Sequence, residues 1–212
     1  MAKIAVLLLP LLLPLVASLT MWGNPARSVG RVMIEGGGST ETELVDWALG
    51  RFAAAGLDLP PITVRFLGNN LALCDGAQAR AHVAEGGVVL RVCWYDSFVV
   101  LHELAHVWEA GNVPVEQHEE FMGLRDGVES WANVEVPWAV RGREHAANVI
   151  AWGLLDDPYP ISRTYPNDVA SMIDAFTFLT NVGPLHDGGT GVRHPDRSLI
   201  DARQNEPLES GR

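Results

Sequence analysis

The segment that most constrains this chain runs from Asp96 to Glu109 and reads DSFVVLHELAHVWE. Val99, Val100, Leu101, Leu104, Ala105, Val107 and Trp108 make a helix of this sequence apolar on most sides, so it has to be buried. Asp96 or Ser97 supplies its N-cap, and Gly111 is the expected stop. Within that apolar wall stand His102, Glu103 and His106. Burying two imidazoles and a carboxylate is costly unless hydrogen bonds or a cation satisfy them. At i and i+4 the two histidines lie on one helix face, a turn apart, so both can reach one ion. Glu103, beside the first of them, is placed to hold a water at the ion's open position and take its proton.

Around this helix the pattern predicts an α+β domain. After Gly36, Gly37 and Gly38, Ser39 or Thr40 can cap a helix, with Thr40 and Glu43 at capping-box spacing. Leu44, Trp47, Ala48, Phe52 and Ala55 recur at helical intervals, and Gly56 ends the run. Pro60 and Pro61 separate it from a strand at Ile62–Phe66. Further strands fit Ala77–Val83 and Val88–Cys93, joined by a turn at Glu85, Gly86 and Gly87, which predicts a short, mostly antiparallel sheet packed on the His102 helix. Downstream, helices fit Glu116–Leu124, Arg141–Leu155 and Asn167–Thr180, with an irregular stretch at Trp131–Trp138.

A divalent ion at such a site takes a third protein ligand and leaves a fourth position for water. The helix containing REHAAN is the informative one: Glu144 can complete the site, and Asn148, one turn on, can accept the second ring N–H of a ligand histidine. Small residues at Ala147 and Ala151 allow close packing against another helix. His145 is the main rival to Glu144, followed by His118, Glu119, Glu120 and Asp126, while His186 and His194 fall in the C-terminal tail.

VLHELAHVWE followed by EHAAN resembles the zincin metallopeptidases, and within them the gluzincin-type branch, over roughly residues 40–155. The resemblance implies a zincin-like domain, a bound Zn²⁺ held by His102, His106 and Glu144, and Glu103 as general base in peptide hydrolysis. It also implies a β-sheet before the active-site helix, whose edge strand lines the cleft, and an acidic residue in support of one histidine; Asn148 stands at that position here. Many zincins stabilise the oxyanion with a Tyr, His or Arg, for which Tyr159, Tyr165, Arg141 and His145 are the candidates. The substrate class implied is a peptide or protein. The other reading of the same residues is an exported metal-binding interaction module without peptidase activity.

The chain ends add context. Lys3, the only lysine among 212 residues, precedes an uncharged run from Ile4 to Trp22 that reads as a signal peptide over 1–20, with residues 4–22 as a membrane tether if it is not cleaved. Residues 21–38 read as a linker, 39–182 as the domain and 183–212 as a flexible tail. Export to the cell envelope or beyond suits the two cysteines, Cys74 and Cys93, which can close one disulfide. A formal net charge of −11 without any basic run argues against nucleic-acid binding.

Overall fold

The computed structural model describes residues 32–84, 87–158, 161–162 and 164–185, so the segment read as a signal peptide and nearly all of the tail lie outside the described residues. Within them, four strands and five helices follow one another as β1 (Val32–Glu35), α1 (Ser39–Ala54), β2 (Ile62–Phe66), β3 (Ala79–Ala84), β4 (Gly87–Val92), α2 (Ser97–Asn112), α3 (Val115–Gly123), α4 (Gly142–Leu154) and α5 (Val169–Thr180). The fold class is α+β. No helix among the described residues is long and apolar enough to cross a membrane.

The sheet has the order β1-β2-β4-β3. β1 pairs parallel with β2, and β2 parallel with β4; only the β3–β4 hairpin is antiparallel. The sheet is therefore mixed, not mostly antiparallel as its hairpin alone suggested. The difference originates in β1, a four-residue strand inside the stretch read as linker. It returns through α1 to pair with β2, and a helix crossover between neighbouring strands makes them parallel. Cys74, in a 3₁₀ turn before β3, is bonded to Cys93 just after β4, with Cα atoms 6.1 Å apart, so the disulfide closes across the hairpin.

Two helix boundaries differ from the sequence expectation for identifiable reasons. α1 is capped one to two residues earlier, because the Glu41 carboxylate accepts from Gly38 N at 2.8 Å and is itself held by the Tyr95 hydroxyl. α2 runs through Gly111 and ends at Val113, whose extended backbone is what a residue before proline adopts; Pro114 is the stop. Its start is as expected, with Asp96 accepting from Val99 N at 2.8 Å.

α2 is buried along nearly its whole length, from Val99 to Glu109, and packs against α4, where Ala146, Ala147 and Ala151 are fully buried. α4 in turn meets α5 so closely that Gly153 sits against the ring of Phe176. Its C-terminal end is anchored from the other side. Arg51 of α1, 1% exposed, donates to the carbonyls of Leu154 and Leu155 and pairs with Asp156 at 2.6 Å. A cation satisfying the last carbonyls of a helix is favourable both as a hydrogen-bond donor and against the helix dipole. The two helices that carry the candidate ligands are thus held from several directions.

Candidate metal centre

The expected ligands converge. Nε2 of His102 and Nε2 of His106, both on α2, lie 3.3 and 3.0 Å from Oε2 of Glu144, which projects from the first turn of α4. One ligand atom from each of the three residues falls within 4.8 Å of the others, and all three residues are buried. Tetrahedral coordination with metal–ligand bonds of about 2.0–2.1 Å spaces neighbouring ligand atoms about 3.3–3.4 Å apart, close to the two separations to Glu144.

The outer nitrogens are held in a way that leaves the inner ones able to take a cation. Nδ1 of His102 is 2.8 Å from Oδ1 of Asn148, whose amide nitrogen donates to Thr164 Oγ1 at 2.7 Å. An amide oxygen can only accept, so Nδ1 of His102 carries a proton, and Nε2 is the nitrogen turned to Glu144. His106 Nδ1 faces the carboxylate of Glu109 at 3.4 Å, which selects the same tautomer. Two Nε2 atoms and a carboxylate oxygen therefore meet at one buried spot, an arrangement that positive charge between them stabilises. Without a metal, protons supply it. Burial alone would lower the His106 pKa, but the hydrogen bonds to Glu109 and Glu144 outweigh it and raise the value to about 9. Burial would likewise raise that of Glu144, yet the two imidazoles hold it far below the usual carboxylate range. A divalent cation answers the same demand with the chemistry this donor set suits.

Glu103, 9% exposed, has neither a hydrogen bond nor an ion pair among the described residues, and it lies close enough to His106 to favour that imidazole's charged form. Its carboxylate is available to a water.

The rival ligands are elsewhere. His145 is buried with Nε2 2.9 Å from the carbonyl of Ala139, and burial lowers its pKa. His118 stacks on Trp131 with ring centroids 3.8 Å apart. Glu119, Glu120 and Asp126 are exposed and not part of the cluster, and His186 and His194 lie outside the described residues. Of the oxyanion candidates, Arg141 is occupied in cross-linking its own loop, donating to the carbonyls of Val136 and Val134. His145 faces Ala139, Tyr165 is exposed, and Tyr159 lies outside the described residues.

Three neighbours of the site were not anticipated. Glu109 had a signal, since i+3 from His106 on a helix that is buried all round implies a partner for its charge. Thr164 had none, because it arrives from a loop distant in sequence. Trp138, whose ring centroid is 6.1 Å from that of His102, lay in the stretch read as irregular. Compared with protein-family models, curated proteins and solved structures, the chain matches none of them.

Proposed function

We propose that this protein is an exported zinc-dependent peptidase. The observation that supports the reading best is the convergence of the His102, His106 and Glu144 ligand atoms within 4.8 Å, with the Glu103 carboxylate free beside them. Zinc suits a site of two imidazoles and one carboxylate, and when bound it supplies Lewis acidity, polarising a carbonyl and acidifying a water. The residues do the rest. Asn148 and Glu109 hold the two imidazoles by their outer nitrogens, with Nε2 of each turned inward. Glu103 accepts the proton of the attacking water as the water oxygen bonds to the peptide carbonyl carbon. It then delivers that proton to the departing nitrogen as the C–N bond breaks. The disulfide between Cys74 and Cys93 supports export, because such bonds persist in oxidising compartments.

The test is metal analysis of the purified chain together with a peptide-library digest. One equivalent of zinc is expected, lost in His102→Ala and His106→Ala. Glu103→Gln is expected to keep the zinc and lose most hydrolysis. Cleavage undiminished in that variant would refute its role as base. Full zinc with no cleavage by the unmodified protein would instead favour a metal-binding interaction module.

A further inference from the structure

Trp138 is 40% exposed, an unusual position for so large an apolar ring beside a buried polar centre. Its ring centroid is 6.1 Å from that of His102, with the planes 33° apart. Phe98, one turn before His102 on α2, lies at the same 6.1 Å, at 35°. The exposure is not that of a loose loop. Glu129 N donates to Val140 O at 2.9 Å, Gly142 N to Ser130 O at 2.8 Å and Arg143 N to Trp131 O at 2.9 Å, so the loop between residues 129 and 142 is closed at its neck. Inside it, the Arg141 guanidinium donates to the carbonyls of Val136 at 2.8–2.9 Å and Val134 at 2.9 Å. Trp138 opens the short 3₁₀ turn after Pro137, four residues before the start of the helix that carries Glu144. Val134, on the same loop, is 74% exposed.

We propose that Trp138 is the platform on which an apolar side chain of the substrate rests beside the scissile bond, so that the enzyme selects peptides with an aromatic or branched aliphatic residue there. This rests on the peptidase reading of the site and adds its substrate class. An indole held on a cross-linked loop offers a large contact area with little conformational entropy left to lose on binding. Its place against a ligand histidine puts that contact next to the reacting carbonyl instead of at a remote part of the chain. An acidic side chain in the same place would lose its hydration against the indole without gaining a partner.

The test uses the full chain loaded with zinc and fluorogenic peptides that differ only in the residues flanking the cleaved bond: Phe, Leu, Gly or Asp. Unmodified protein is expected to favour Phe and Leu over Gly and Asp by about tenfold or more in kcat/KM. Trp138→Ala is expected to lose most of that preference through a higher KM on the Phe and Leu peptides, with zinc content unchanged. Trp138→Phe is expected to keep it. A Trp138 that only shields His102 from water would alter zinc affinity and leave the preference intact, which overturns the proposal, as does equal cleavage of all four peptides by the unmodified protein. Failure of the underlying reading looks different: the unmodified protein then matches Glu103→Gln on every peptide, and the proposal falls with it.

Discussion

Asn148 Oδ1 lies 2.8 Å from His102 Nδ1, joining α4 to α2 through a buried hydrogen bond directly behind the candidate ligand face. The same helix that delivers Glu144 therefore also orients the histidine with which Glu144 would share an ion. Replacing Asn148 by Ala is expected to weaken zinc binding by about 10–100-fold, as loss of such supporting partners does. Asn148→Asp, which keeps the acceptor, is expected to retain most of the affinity. Competition with a chromogenic chelator measures both, and equal affinity in Asn148→Ala would separate the residue from the site.

Glu109 plays the matching part for His106 at a longer 3.4 Å. Glu109→Ala is expected to lower zinc affinity by about tenfold, the lower end of the range for supporting partners, and Glu109→Gln by less. The same chelator competition ranks the variants. Equal losses in the two variants would mean that the charge, and not the hydrogen bond, is what His106 needs.

Chelation is expected to leave a pH signature. With the His106 pKa raised to about 9 from 6.5, the folded metal-free protein holds a proton that the unfolded chain gives up earlier. The resulting stabilisation is complete below about pH 6.5 and is lost as the pH climbs through about 9. Chelator-treated protein is expected to show a falling Tm across that window, and the zinc-loaded protein, whose ligand imidazole holds no such proton, to show little. A flat profile after chelation would contradict the assigned contacts of His106.

Gly153 reports on the scaffold. A Cβ there would come within 2.1 Å of the Phe176 ring, a side chain that is itself fully buried and has nowhere to move. Gly153→Ala is expected to destabilise the protein by about 1–3 kcal/mol, lowering Tm by several degrees in thermal denaturation. An unchanged Tm would show that α4 and α5 can separate at no cost.

The Cys74–Cys93 bond joins residues 19 apart in the chain. Closing a loop of that length stabilises by about 3 kcal/mol through the unfolded state. The double replacement of Cys74 and Cys93 by Ser is expected to lose about that much in urea unfolding while retaining zinc, because the bond lies on the sheet hairpin and not on the ligand helices.

Much of the site was legible because helices impose local spacing. His102, Glu103 and His106 lie within two turns, and Asn148 follows Glu144 by one, so each pair's shared face follows from helical periodicity alone. Ala147 and Ala151 marked α4 as a helix able to pack closely on another, without saying which. Glu109 was legible in principle by the same logic. Thr164 and Trp138 were not, since a loop residue carries no periodicity to say what it faces. The sheet was legible as a set of strands but not as a pairing. β1 is four residues long and half exposed, too short for alternation to stand out from its glycine-rich surroundings.

By itself, the order of amino acids determined that a buried apolar helix presents two imidazoles and a carboxylate, because a 3.6-residue repeat is a local property of the backbone. What closes the site was settled only by the tertiary arrangement. Glu144 meets His106 at a sequence separation of 38 and His102 at a larger one, Asn148 finds both His102 and Thr164, and β1 makes the sheet parallel on one side. Such contacts depend on how helices and strands pack, and packing energy is a sum over many distant neighbours that no local pattern encodes.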